Sequence, residues 1–413
     1  QSLALCKKMS VWWWLGRAPS VRCKYRGRFM KILVLSFYYA PDLSAGSFRT
    51  TALVEALVEQ GADSVDVITT MPNRYHGFDA KALASEQQGN VSIQRVELPG
   101  HKNGLVDQIR CFKTFAHRAM KMAKGQQYDL VYATSSRLMT AWLGARIANR
   151  LKAPLYLDIR DIFADTVKDV FTGWKGKVLF PVLSAVERWT MKQAKAINIG
   201  SEGFKPYFEE RYGQLPLRVF TNGIDDEFLA LGFEPKAVNA EPIDVLYAGN
   251  IGEGQGLHHI VGPLAQALGD KVCFKIVGSG GRLQQLQESV AGLENVELLA
   301  PVKRAELIAM YEAADVLFLH LNDYDAFLKV LPSKLFEYGA TGKPILAGVA
   351  GYAATFASTE LDNCAVFSPC DAKAGVAALN SLAIEQRERT SFKEKFARKH
   401  IMQRMAQDIL QQG

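Results

Sequence analysis

Met30-Lys-Ile-Leu-Val-Leu-Ser-Phe-Tyr-Tyr-Ala-Pro-Asp-Leu-Ser-Ala-Gly-Ser-Phe-Arg49 is the stretch that decides the fold. Its first half is a short apolar run with no polar alternation, as expected of a strand buried on both faces. A loop carrying Gly46 follows. The spacing then predicts a helix over 47–60, where Leu53, Ala56 and Leu57 recur at helical period and Gly61 stops it. Strand, glycine-bearing loop and helix form the opening of a βαβ unit, which implies a parallel sheet covered by helices.

Working outward, the same grammar repeats. Further strands are expected over 64–70, 91–98, 128–135, 155–160, 196–201 and 218–222. Polar text punctuated by Pro235 and Pro242 reads as a linker over 225–242. A second βα series follows, with strands expected over 244–248, 272–277, 296–299, 316–321, 344–347 and 365–368. The expectation is therefore an α/β chain of two tandem doubly wound, Rossmann-like domains. They span 30–224 and 243–383, and a charged helical tail spans 384–413. A length of 413 residues suits two domains, and ligands in this class bind at the carboxyl ends of the strands.

Composition narrows the function classes. Six cysteines (Cys6, Cys23, Cys111, Cys273, Cys364, Cys370) are scattered without C-x-x-C spacing, so disulfide-framework and zinc-finger readings are weak and a reducing compartment fits. Residues 1–29 carry seven basic and no acidic residues around Trp12, Trp13 and Trp14; they read as foreign to the fold, with the working chain expected from Met30. The formal charge of +7 comes from that leader, so it says little about an anionic partner. The basic residues lack interleaved aromatics, and no nucleic-acid partner is expected.

Several clusters carry chemistry. Gly46 and Arg49 follow the first strand, where backbone N–H groups and a cation suit a phosphate. Gly249, Asn250 and Gly252 follow the first strand of the second series. Gly278-Ser279-Gly280, with Arg282 just beyond, follow its second strand; such glycines let backbone approach a pyrophosphate. Pro332-Ser333 reads as a helix start, with Lys334 and Glu337 one turn apart. Asp158-Ile-Arg160-Asp161 ends a buried strand, where an unpaired charge would be costly. Two readings of it stay open: substrate contact with Asp161 as base for an acceptor hydroxyl, or an Asp–Arg pair that holds a loop.

Five motifs in order are similar to those of glycosyltransferase family 4. They are Tyr38–Arg49, Thr221-Asn-Gly-Ile-Asp225, Tyr247-Ala-Gly-Asn-Ile-Gly252, Ile276-Val-Gly-Ser-Gly-Gly281 and Leu331-Pro-Ser-Lys-Leu-Phe-Glu-Tyr-Gly-Ala-Thr-Gly-Lys-Pro344. The last, with Asp158–Asp161, most resembles the bacterial O-antigen and capsule branch, and within it the N-acetyl-L-fucosamine transferases. The resemblance implies a GT-B fold and a UDP-sugar donor. It implies Glu337 on the ribose hydroxyls, Lys334 toward the diphosphate and a polyprenyl-diphosphate sugar as acceptor. It places the chain on the cytoplasmic face of a bacterial inner membrane.

The chain departs from that pattern at four positions. Arg160 stands where many members have His, and Lys329 where a first Glu is usual. Asn250 and Gln255 replace a basic pair, so diphosphate charge would fall to Lys329, Lys334, Arg282 or helix N-termini. The single D-x-D, Asp323-Tyr-Asp325, reads as loop, and no metal is expected.

A basic amphipathic helix over 102–124, with Leu105, Ile109, Phe112, Ala116 and Met120 as its apolar stripe, suggests docking on an anionic membrane. So does the apolar stretch over 167–186. Two other functions remain open at this stage: a UDP-sugar 2-epimerase-like isomerase on the same fold, and a non-catalytic nucleotide-sugar-binding protein.

Overall fold

The computed structural model describes residues 29–42, 44–72, 82–100, 105–135, 138–162, 174–232 and 242–413. The leader over 1–28, the apolar residues over 167–173 and most of the Pro-punctuated linker, 233–241, lie outside them.

The first lobe is built on an eight-stranded sheet. Its strands are β1 (Lys31–Leu35), β2 (Ser64–Thr70), β3 (Ser85–Gln88), β4 (Val91–Val96), β5 (Leu130–Thr134), β6 (Leu155–Ile159), β7 (Ala196–Ile199) and β8 (Leu217–Val219). They lie in the order β3-β4-β2-β1-β5-β6-β7-β8. All pairings are parallel except β3 on β4. β5, β6 and β7 are buried along their whole length, apolar but for Thr134, Asp158 and Asn198, which are buried with them. β3 is the strand that the sequence reading missed. Its sequence, Ser-Glu-Gln-Gln, is mostly exposed and carries no hydrophobic pattern; it is a polar edge on an otherwise covered sheet.

The second lobe holds β9 (Ile243–Asn250), β10 (Val272–Ser279), β11 (Val296–Leu299), β12 (Val316–His320), β13 (Ile345–Gly348) and β14 (Cys364–Phe367). All run parallel, in the order β11-β10-β9-β12-β13-β14. The strand order reverses between β1 and β5 in one sheet and between β9 and β12 in the other. Loops leaving the carboxyl ends of those strands therefore flank a crevice.

The chain does not end in a free tail. Helix 398–412 returns to the first lobe and buries Ile401, Met402, Met405, Ala406 and Ile409 at 2% exposure or less. Asp408 accepts from Tyr156 (2.9 Å) on β6 and pairs with Arg218 (3.1 Å) on β8. At its start, Ile224 bridges Ala397, and Arg398 pairs with Asp225 where the first lobe gives way to the linker. Lys399, His400 and Arg404 form its outer face, whereas Arg398 and Asp408 turn inward to these partners.

Candidate functional site

Helix 45–59 begins directly beyond β1, with Ser44 capping it by accepting from the Ser47 N–H at 3.2 Å. Gly46 lies in its first turn rather than in the preceding loop. Arg49, one turn further, does not reach the crevice. Its side chain is fully buried, and Nε and Nη2 bind the Asp158 carboxylate at 2.9 and 3.2 Å. The remaining donors go to the carbonyls of Thr221 and Phe220 and to Met405 Sδ. Asp158 in turn accepts from Tyr132 (2.8 Å) and Asn198 (2.6 Å). Burial pushes its carboxyl up, but Arg49, Arg160 and these hydrogen bonds outweigh it and hold it below its ordinary value.

From sequence, Arg49 is expected on a diphosphate and Asp158 either in contact with substrate or in an Asp–Arg pair. Both are instead sealed inside the first lobe, and of the two open readings of Asp158 the ion pair is the one seen. Only the end of that motif faces outward. The Arg160 main-chain N–H donates to Ser135 Oγ (2.9 Å), its half-buried guanidinium is pushed down to about 10 by burial and by Arg49, and Asp161 is exposed.

Two strand ends meet closely in the second lobe. A Cβ on Gly278 would stand 1.8 Å from the Gly249 carbonyl oxygen, and one on Gly280 would stand 2.3 Å from that of Ile251. Only glycine permits this approach. Gly249 also leaves room for Lys334, whose Cε is 2.5 Å from where a Gly249 Cβ would lie. The Lys334 ammonium sits 5.9 Å from the Tyr247 ring centre and 5.6 Å from that of Tyr338. Burial pulls its pKa below the ordinary value, and Arg304 adds to this. Ser333 opens the same short helix, 334–341, and Glu337 follows one turn later; its carboxylate accepts from Tyr311 OH at 3.3 Å. Tyr311 and Arg304 beside Glu337 leave no sequence signal, because both belong to a helix (304–313) with no motif of its own.

The loop after β9 replaces cations with an amide pair. Asn250 Nδ2 donates to Gln255 Oε1 (2.9 Å), which also receives the Gly252 N–H (3.2 Å). Beside Ser279, at the exposed end of β10, Arg282 pairs with Glu253; the two side chains are 40% and 31% exposed. Glu253 also lies near His258 and His259. Those imidazoles are tilted by 41° with ring centres 3.9 Å apart, and each of the three side chains offers one ligand atom within 4.8 Å of the others. Lys329 stands apart from Lys334. Its carbonyl accepts from Ser201 Oγ of the first lobe (2.6 Å), and its ammonium lies 5.8 Å from the Tyr207 ring centre. It thus faces the opposite wall of the crevice.

Residues 47–228 match the family described as Glycosyltransferase Family 4, and 232–399 match Glycosyl transferases group 1. The chain is a nucleotide-sugar-dependent family 4 glycosyltransferase. It is similar to the putative colanic acid biosynthesis glycosyl transferase WcaI of Escherichia coli K12, at 26% identity over 90% of this chain and 99% of that one. Its GT-B fold is shared with sucrose-phosphate synthase of Thermosynechococcus elongatus (TM-score 0.69, 17% identity, 92% and 98% of the two chains). It is also shared with Anabaena HepE in complex with UDP (TM-score 0.61, 16% identity, 93% and 100%).

Two outcomes follow for this transferase. Arg49→Leu leaves the Asp158 charge buried without its partner and is expected to lower stability by about 3–5 kcal/mol in urea denaturation. Adding Asp158→Asn to it recovers part of that loss. The UDP affinity of the folded protein stays unchanged in both, whereas a donor-binding arginine would lose it. The second outcome concerns His320, fully buried at the end of β12, whose imidazole is pushed down to about 4 by burial. The folded state refuses a proton that the unfolded chain takes near pH 6.5. Stability therefore falls as pH drops from 6.5 toward 4, by about 1.4 kcal/mol per unit. Urea midpoints at pH 7 and 5 check this: His320→Asn has a shallower slope than wild type.

Proposed function

We propose that this enzyme transfers N-acetyl-L-fucosamine from its UDP form to a polyprenyl-diphosphate-linked sugar during assembly of a bacterial surface polysaccharide. The observation that carries the reading is the placement of Lys334 and Glu337. A desolvated ammonium lies under the glycine-lined ends of β9 and β10, and a carboxylate follows one helical turn later on the same short helix. A nucleoside diphosphate presents two matching groups: a pair of ribose hydroxyls for the carboxylate and a dianionic bridge for the cation. The likeness to a protein named for colanic acid biosynthesis supports the polysaccharide setting. The choice of sugar rests on the O-antigen-type motif around Glu337 and on Asp158–Asp161.

In this scheme the departing diphosphate is neutralised by Lys334, by Arg282 and by the first turn of helix 45–59 at Gly46, with Lys329 held against the first lobe at Ser201 and Tyr207. Releasing Arg282 from Glu253 costs at most about 1 kcal/mol, because the pair is exposed. No metal enters. Asp161, exposed at the end of β6, takes the proton of the acceptor hydroxyl, and Arg160 beside it orients the acceptor.

Membrane docking is the second half of the proposal. No helix among the described residues is long and apolar enough to cross a membrane. Helix 105–123 buries Cys111, Phe115, Ala119 and Ala123 against the sheet, and Phe112, Ala116 and Met120 pack at the edge of that stripe. The sequence-derived stripe was shifted by a residue because small Cys and Ala side chains carry the packing. Ile109 is consequently left 59% exposed next to Arg110 and one turn before Lys113, and Arg118, Lys121 and Lys124 are exposed further along the same segment. On helix 174–192, Val182 and Trp189 are exposed as well. Apolar tips among lysines and arginines suit an anionic leaflet.

Two experiments test this. The purified full chain is screened against a panel of nucleotide sugars with polyprenyl-diphosphate-N-acetylglucosamine in detergent. The expected lipid product is heavier by one deoxy-acetamido sugar, and Glu337→Gln raises the donor KM about ten- to a hundredfold. An isomerised sugar nucleotide without transfer would overturn the transferase step and favour the isomerase. Separately, changing Lys113, Arg118 and Lys121 to Gln is expected to weaken binding to anionic vesicles by about 1 kcal/mol per residue and leave turnover of a detergent-solubilised acceptor intact.

A further inference from the structure

His320 is a fully buried titratable group with no part in the scheme above. It is the last residue of β12, beside the point where the strand order of the second sheet reverses. Nδ1 lies 2.7 Å from the Gln255 carbonyl oxygen. A carbonyl only accepts, so Nδ1 carries the proton. Nε2 lies 2.9 Å from the Cys370 main-chain N–H, which only donates, so Nε2 is bare. The two neighbours fix one neutral tautomer and use both ring nitrogens. The adjoining strand makes room for the ring: a Cβ on Gly348 would stand 2.3 Å from its Cδ2. Cys370 is held at φ 59°, a conformation that side-chain-bearing residues seldom adopt.

The imidazole thus wedges between the loop after β9 and the turn after β14. It does not act on that loop alone. Asn322, two residues on, donates its main-chain N–H to the Gly254 carbonyl (2.8 Å) and its Nδ2 to the Glu253 carbonyl (2.9 Å). Three consecutive carbonyls, at 253, 254 and 255, are therefore each tied to 320–322. The Gln255 end of that strap matters most for the donor. The Gln255 side chain holds Asn250 and the Gly252 N–H, and Gly256 turns the chain (φ 59°) into helix 257–268. Where a cationic pair would be steered by the diphosphate itself, an uncharged amide pair needs its backbone set beforehand.

We infer that His320 is a positioning residue for the donor, whose Nδ1–H fixes the Gly252–Gly256 loop in the shape that receives the nucleotide diphosphate. This rests on the donor-site reading above. Replacement separates the two halves of the wedge. His320→Asn keeps an N–H near the Nδ1 position and so the bond to Gln255. His320→Gln places its amide near Nε2 and keeps only the Cys370 side. His320→Leu keeps neither.

The experiment measures UDP affinity by calorimetry, the melting temperature, and hydrogen exchange of the 252–256 amides, on the full chain of wild type and all three variants. UDP binding is expected to weaken at least tenfold in His320→Leu and His320→Gln and to stay within threefold of wild type in His320→Asn. Loop amides should exchange faster in the first two only. Unchanged UDP affinity in a folded His320→Leu, or losses that track melting temperature equally across all three, would overturn the inference. Failure of the folded wild type to bind UDP would overturn the donor reading instead. The exchange data would then still decide the clamp: equal protection in wild type and His320→Leu would refute it.

Discussion

A single buried ion pair, Arg49 with Asp158, organises the first lobe. Two charges taken out of water are stable together only if their hydrogen-bonding capacity is nearly filled. Here it is filled by groups from four places: Tyr132 on β5, Asn198 on β7, the main chain at Phe220 and Thr221 and, through Met405, the returning helix 398–412. The pair therefore welds the strand that begins the lobe's crevice wall to the segment that leaves for the second lobe. It also explains why the last helix must come back: without it, Arg49 and the carbonyl face of 220–221 would border solvent. Asn198 closes the circuit by donating to both Asp158 and Phe220.

The second lobe solves a different problem. It sets a cation, Lys334, against bare backbone at Gly249, yet burying an unpaired ammonium is unfavourable. Lys334 is tolerated because the Tyr247 and Tyr338 rings flank it and Glu337 lies one turn away on the same helix. Tyr247 OH is itself used, donating to the Asn250 carbonyl (2.7 Å). The glycines at 249, 278 and 280 follow from this packing as much as from any ligand, since Lys334 and the facing strand end already occupy the space where side chains would go.

These particulars show what a sequence can carry. Strands such as Lys31–Leu35 and Val316–His320 were legible because burial on both faces leaves an unbroken apolar run. Ser85–Gln88 was not, since edge pairing is made by backbone and leaves no side-chain signature. Arg49 beside a glycine looked like a phosphate ligand because its partner lies 109 residues away. Asp158 carried the matching ambiguity, and only the three-dimensional pairing decides it. The placing of Lys334 and Glu337 together was readable because their spacing is local, one turn of one helix. Tyr311, Arg304 and His320 were not, because each contributes through the tertiary neighbour it reaches.

The amide pair at Asn250 and Gln255 brings the two lobes' logic together. On the donor reading proposed above, a diphosphate would meet no cation in the loop after β9. What remains is one desolvated ammonium, one arginine already engaged by Glu253, and oriented backbone. A site of that kind depends on geometry more than on net charge, because a dipole set in advance needs no reorganisation when charge develops. That dependence accounts for the density of short ties from 320–324 to 253–255, including the Tyr324 hydroxyl on the Glu253 carboxylate. The loop is held from beneath by the strand end at the sheet's reversal point, so the rigidity of the central strand is passed directly to the residues that the proposed site sets against the donor.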